Sequence, residues 1–140
     1  ATYHLVGEDF LFSLKRTPYI INSSRGEVVD TASLLAALSV GKVKDAVIDT
    51  WEYEPDISRE LLEVALLGTP HIAGYSADGK ANATRMSLEA LCQFFGIQVE
   101  FSIFPPEGSN EYDPTRDSEW LKAAPKKFEW FRGNYPIRRE

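Results

Sequence analysis

The sequence predicts an α/β fold in which a narrow parallel sheet is flanked by helices. Three observations point there. Short apolar runs of strand length, Tyr19-Ile20-Ile21, Ala46-Val47-Ile48 and His71-Ile72-Ala73, recur along the chain. Between them lie stretches whose apolar residues repeat at helical spacing and begin at good capping residues. Each run is continuously apolar rather than alternating, as expected of parallel strands covered on both faces.

Residues 7–14 predict a short helix, with Leu11 and Leu14 on one face and Glu8 and Asp9 near its start, where the helix dipole favours carboxylates. Pro18 closes that region. The first strand, Tyr19-Ile20-Ile21, stops abruptly at Asn22-Ser23-Ser24-Arg25-Gly26. Asp30 or Thr31 then caps a second helix through Leu34, Leu35 and Leu38, ending near Gly41. The second strand, Ala46-Val47-Ile48, stops at Asp49. Ser58 caps a third helix carrying Leu61, Leu62, Ala65 and Leu66, which Gly68 is expected to close. His71-Ile72-Ala73 is the third predicted strand. A longer helix follows from about Asp78 to Phe95, with Ala83, Met86, Leu88, Leu91, Phe94 and Phe95 forming a broad apolar face. Three strands leave a sheet with two open edges, a sign that part of the domain is missing from this stretch.

Beyond Gly96 the composition changes. Pro105-Pro106-Glu107-Gly108-Ser109-Asn110 has linker character. Residues 117–131 predict a helix interrupted at Pro125 and ended by Gly133-Asn134-Tyr135-Pro136. Its Trp120, Leu121, Phe128, Trp130 and Phe131 need a surface to bury against. Packing on the preceding domain and contact with a second copy both satisfy that need.

At 140 residues the chain is about one domain in length. Its 44% hydrophobic and 26% charged content is ordinary for a globular protein. A net charge of −6 argues against a nucleic-acid surface and gives no reason to expect an anionic membrane partner. Cys92 is the single cysteine, so no intrachain disulfide is possible, which fits a reducing, cytoplasmic setting. No apolar stretch approaches the ~20 residues that span a bilayer. The chain starts at Ala1 inside an amphipathic pattern, as a fragment or a processed piece would.

In open parallel sheets the ligand crevice lies beyond the carboxyl ends of the strands. Arg25, Asp49 and Glu54 follow such ends, and His71 opens its own run. Histidine, with an unperturbed pKa of about 6.5, exchanges protons near neutrality. A carboxylate against one ring nitrogen fixes the tautomer and makes the other nitrogen more basic. Arginine offers a planar pair of donors matched to a carboxylate and stays charged at any working pH. Together Arg25, Glu54 and His71 suit gripping a substrate carboxylate and moving a proton at the neighbouring oxygen, as oxidation of a 2-hydroxy acid requires. The bland alternative is an Arg25–Glu54 ion pair with His71 capping a strand. His4 reads as a structural or surface residue and Cys92 as core. Lys126-Lys127 and Arg138-Arg139 read as solvated charge, and nothing calls for a metal.

The stretch from Leu14 to Asp30, centred on Asn22-Ser23-Ser24-Arg25-Gly26-Glu27-Val28-Val29-Asp30, resembles a signature of the NAD-dependent D-2-hydroxyacid dehydrogenases. Asp49 with Glu54-Pro55, then Pro70-His71-Ile72-Ala73-Gly74, resembles that family's remaining motifs in order. The run Gly74-Tyr75-Ser76-Ala77-Asp78-Gly79-Lys80 and the tail Tyr112-Asp113-Pro114, Arg116-Asp117-Ser118 and 132–140 narrow the likeness to a branch that oxidises a phosphorylated 2-hydroxy acid. The resemblance implies a partial doubly wound, Rossmann-like parallel sheet and a carboxyl-terminal helical dimerisation tail. It divides the chain into the second half of an NAD-binding domain (1–78), a returning helix and linker towards a substrate domain (79–104), and a dimerisation segment (105–140). Arg25 would bind the substrate carboxylate, His71 would exchange the proton at the C2 oxygen, and Glu54 would orient His71. Asp49 and Gly74 would contact the nicotinamide end of NAD, with Ser23, Ser24 and Arg25 lining the same pocket, and Tyr75 would touch the substrate. Lys80 is available for the phosphate, although a solvated lysine at a helix start is the simpler reading.

The family's glycine-rich loop, G-x-G-x-x-G after a strand, does not occur in the sequence. The chain therefore reads as the carboxyl-terminal portion of such an enzyme, expected to bind NAD poorly and to be inactive alone. Competing readings are a dehydrogenase of the same family for another acid, of the phosphoglycerate or glyoxylate type, and a non-catalytic NAD-sensing or assembly module.

Overall fold

A computed structural model describes residues 2–109 and 111–139. Ala1, Asn110 of the expected linker and Glu140 of the tail motif lie outside the described residues. In chain order the elements are α1 (Glu8–Ser13), β1 (Tyr19–Asn22), α2 (Thr31–Ser39), β2 (Asp45–Ile48), α3 (Arg59–Val64), β3 (Leu67–Gly68), α4 (Ala77–Phe95), α5 (Pro114–Ala123) and α6 (Phe128–Gly133). Two 3₁₀ turns, Gly26–Val28 and Pro125–Lys127, precede α2 and α6.

The strands form a parallel sheet in the order β1-β2-β3. Tyr19 is opposite Asp45 and Asn22 opposite Ile48, while Val47 and Ile48 face Leu67 and Gly68. The expected helix starts are capped by side chains. Asp30 accepts from the Ala32 N–H, Ser58 from the Leu61 N–H and Ser76 from the Gly79 N–H.

The third strand lies elsewhere than predicted. It is Leu67–Gly68, and residues 71–73 are irregular. Helix α3 stops at Val64, Ala65 turns extended, and the Leu66 N–H donates to Asp45 Oδ1 at 2.9 Å. Gly68 is therefore no helix end. A Cβ there would meet Trp51 Cζ2 at 2.7 Å and Leu62 Cδ1 at 2.8 Å, so the glycine lets β3 lie against the Trp51 ring. The correction places His71, like Arg25, Asp49 and Glu54, after the carboxyl end of a strand.

The chain forms two compact units. Residues up to Ile72 together with Asp113–Asn134 make one, and Ala73–Tyr112 with the residues from Tyr135 onward make the other. In the first, Leu11, Leu34, Ile48, Leu62, Leu121 and Phe128 are fully buried in one cluster. Helix α5 packs on β3 and α3, and Ser118 Oγ accepts from the Gly68 N–H at 3.0 Å. The predicted helix thus begins three residues early, at Pro114, capped by Asp113, and breaks around Pro125 as expected. Leu121 and Phe128 are buried in the first unit, whereas Trp120 and Trp130 stay 46% and 60% exposed.

In the second unit, α4 ends at Gly96 and the tail returns beside it. The Ala77 N–H donates to Arg138 O at 2.8 Å, and Arg139 makes a two-pronged pair with Asp78 at 2.7 and 2.8 Å. The predicted apolar face of α4 is not covered by the described residues, for Met86, Leu91, Phe94 and Phe95 are all more than half exposed.

Candidate active site

The site is built on the segments that leave β1, β2 and β3. At the end of β1, Asn22 is buried and ties two loops together. Its Nδ2 donates to Arg25 O and to Thr50 O, each at 3.1 Å, and its Oδ1 accepts from Ser24 N–H and Oγ–H. Ser23, Ser24 and Arg25 are exposed on the loop so fixed. Arg25 has extended backbone, and its Nη1 donates to Ser24 O at 2.6 Å. Gly26 follows because the chain runs against the backbone after β2. A Cβ there would lie 1.9 Å from Trp51 O.

After β2, Asp49 is 6% exposed and its Oδ1 accepts from Thr69 Oγ1 and from the Ile72 N–H, each at 2.7 Å. Trp51 is buried and donates through Nε1 to Thr69 O at 2.8 Å. Glu54 then turns back. Its Oε1 accepts from the Trp51 N–H at 2.8 Å, and its Oε2 lies 2.8 Å from His71 Nδ1. His71 and Glu54 side chains are 22% and 19% exposed, shielded yet reachable. The His71 N–H donates to Asp49 O, which completes the join between the β2 and β3 exits.

Arg25, Glu54 and His71 share the wall of a cavity of about 220 Å³, together with Tyr3, Trp51, Glu52 and Tyr53. The bland alternative does not hold, because Glu54 pairs with His71 and no Arg25–Glu54 ion pair forms among the described residues. The expected cofactor residues Ser24 and Asp49 stand at the exits of β1 and β2. Gly74 and Tyr75 belong to the second unit, where Gly74 has open space around its Cα and Tyr75 lies under Lys80 Nζ, 4.2 Å from the ring centre. Tyr75 and Lys80 also line a cavity of about 260 Å³ with Tyr135 and Ile137.

Two contributors escape a reading by residue type. Asn22 looks like an ordinary strand end. Glu52 looks like a neighbour of Glu54 on the same side, since residues two apart share a face in extended chain. Tyr53 breaks that pattern with φ 65. Glu52 is buried and accepts from the Thr31 N–H at 3.0 Å, with His4 Nε2 2.5 Å from its other oxygen. Burial alone would raise the Glu52 pKa. The bonds from His4 and Thr31 and the charge of His4 outweigh it and hold the carboxylate below its ordinary range. Glu52 in turn pushes the Tyr53 hydroxyl up through its charge. Hydrogen bonding by Ser33, with smaller help from backbone N–H groups and His4, lowers Asp30. His4, Asp30 and Glu52 stand close enough to hold a metal ion, but their oxygens already cap α2 and bind His4.

Residues 1–73 match the family described as D-isomer specific 2-hydroxyacid dehydrogenase, NAD binding domain. The chain is 57% identical to the erythronate-4-phosphate dehydrogenase of Bacteroides fragilis over 99% of its own length and 44% of the relative's. Identity to the enzyme of that name from Bacteroides thetaiotaomicron is 53% over the same shares. The chain thus spans less than half the length of the curated relatives it matches. Among solved structures it resembles D-mandelate dehydrogenase of Rhodotorula graminis, with TM-score 0.58 and 31% identity over 76% of this chain and 33% of that one. It also resembles the D-lactate dehydrogenase of Aquifex aeolicus complexed with NAD and lactic acid, with TM-score 0.54 and 28% identity over 68% and 34%.

Proposed function

The chain belongs to the D-isomer specific 2-hydroxyacid dehydrogenases, and from that premise we propose that it carries the acid–base half of a 4-phosphoerythronate dehydrogenase. The reaction is oxidation of 4-phospho-D-erythronate at C2 to 2-oxo-3-hydroxy-4-phosphobutanoate, within pyridoxine biosynthesis. The observation that carries the reading is the His71 Nδ1 contact to Glu54 at 2.8 Å on the wall that Arg25 also lines. Identity of 57% to an erythronate-4-phosphate dehydrogenase supports the choice of substrate.

In this mechanism Arg25 grips the substrate carboxylate with its two-pronged donor set. His71 Nε2 takes the proton of the C2 hydroxyl, leaving the C–O bond free to become a carbonyl. Glu54 keeps the proton on Nδ1 and stabilises the positive ring that results. The chemistry that NAD would supply when bound is a hydride acceptor for C2. The donor set fits the nicotinamide end of that cofactor, with Ser24 and a buried Asp49 at the exits of adjacent parallel strands. Nothing in this sequence supplies a glycine-rich cradle for the pyrophosphate, so the chain by itself would bind NAD weakly. Tyr75 is proposed to touch the substrate and Gly74 the cofactor. The exposed Trp120 and Trp130 support a homodimer contact through 105–140, and the single cysteine supports a cytoplasmic setting.

The test is the complete gene product assayed with NAD and either 4-phospho-D-erythronate or 3-phosphoglycerate. His71→Ala is expected to lower the rate on the order of 10²–10⁴-fold. A preference for phosphoglycerate would replace the substrate assignment with the second enzyme reading. Unchanged activity in the variant would favour a non-catalytic module.

A further inference from the structure

The His71–Glu54 pair depends on a loop that is fastened to neighbouring segments. That loop runs from Thr50 to Glu54. Trp51 holds it to Thr69 and Asn22 holds it to the β1 exit. Among the described residues a further fastener is Glu52. One of its oxygens accepts from the Thr31 N–H, the first residue of α2, where the helix dipole favours a carboxylate. The other meets His4. The His4 N–H donates to Glu27 O at 2.8 Å, and the Val6 N–H to Val28 O at 2.9 Å, so the segment bearing His4 is stitched to the turn that follows Arg25. Glu52 thus lies where the segments carrying Arg25 and Glu54 are joined.

We infer that Glu52, held by His4 and Thr31, is a positioning residue that sets the approach of Glu54 to His71 and of the Arg25 loop to both. The inference rests on the reading of His71 as the acid–base group. Geometry makes the coupling tight. Only Tyr53 separates Glu52 from Glu54, and its φ of 65 is a conformation an L residue adopts only when its neighbours hold it there. Among the described residues, the groups facing Glu52 include His4 with Tyr3 stacked on it at 3.9 Å, Asp30 and Thr31 at the start of α2, and Tyr53. Releasing the Glu52 carboxylate removes what opposes relaxation at Tyr53, and Glu54 moves with it.

In the complete gene product the ring N–H signals of His4 and His71 are assigned by NMR from their loss in His4→Gln and His71→Ala. Glu52→Gln in the complete gene product is expected to lower kcat on the order of tenfold, with KM for 4-phospho-D-erythronate little changed, because a small misplacement of a proton acceptor affects the chemical step most. The His71 Nδ1–H signal should exchange with water faster by a similar factor in a variant whose circular dichroism is native. Where Glu52→Gln does not fold, His4→Gln carries the same test, with smaller shifts in the same direction. A folded variant that melts lower but keeps both kcat and the His71 proton signal would make Glu52 a structural pin and overturn the inference. If His71→Ala retains activity, the acid–base reading fails separately, while the exchange measurement still decides whether Glu52 governs His71.

Discussion

His71, Tyr53 and His4 have φ values of 56, 65 and 49, the positive-φ non-glycine residues among those described. Such backbone costs on the order of 1–3 kcal/mol at each position and persists where surrounding contacts over-determine it. Here those contacts are the Glu54–His71 and Glu52–His4 pairs, and they place the strain of Tyr53 and His71 at the cavity wall. Arg25, Glu54 and His71 were legible as candidates because their chemistry is distinctive and each follows or opens an apolar run. Asn22 and Glu52 were not, since their work is hydrogen bonding to segments remote in sequence. Gly26 states the same dependence in backbone terms. Gly26→Ala would place a methyl 1.9 Å from Trp51 O, and an overpacked contact of this kind costs roughly 1–3 kcal/mol. Urea denaturation should show that loss together with a changed His71 ring-proton signal, since the displaced Trp51 N–H is the second partner of Glu54.

The starts of α2 and α3 were the most readable, whereas α5 begins three residues before its expected start. Asp30, Ser58 and Ser76 each accept a backbone N–H one or two residues into a helix, the local bond for which their residue types are selected. Strand β3 was misread because a two-residue strand has too little pattern to register, and a following Ile-Ala run imitates one. The amino end of α2 carries a prediction about acid. Glu52 is held below its ordinary value of 4.5, and Asp30 below 3.8. A carboxyl with a depressed folded pKa contributes stability fully above its unfolded value and loses it as pH falls through the lower folded one. The chain should therefore lose stability below about pH 4.5, and Glu52→Gln should flatten that part of the curve in thermal melts taken across pH 2–6.

At the scale of the whole molecule, residues 113–134 are part of the first unit as well as candidates for an interface. Leu121 and Phe128 are 0% exposed within its core. Leu121→Ala should cost about 2–5 kcal/mol in urea unfolding of the first unit at a concentration low enough to exclude association. An unchanged midpoint there would mean that α5 serves an interface only. Local periodicity and side-chain type were enough to read the parallel α/β order, the caps at Asp30 and Ser58, and Arg25, Glu54 and His71 as candidates for the site. Packing between segments distant in sequence set the rest: Glu54 pairs with His71 and forms no ion pair with Arg25 among the described residues, Glu52 binds His4 and the start of α2, and Leu121 closes a core assembled from residues roughly 60 to 110 positions earlier. Those outcomes are contacts between distant segments, and they are set by which backbone turns, at Tyr53 and His71 above all, the packed neighbours can hold.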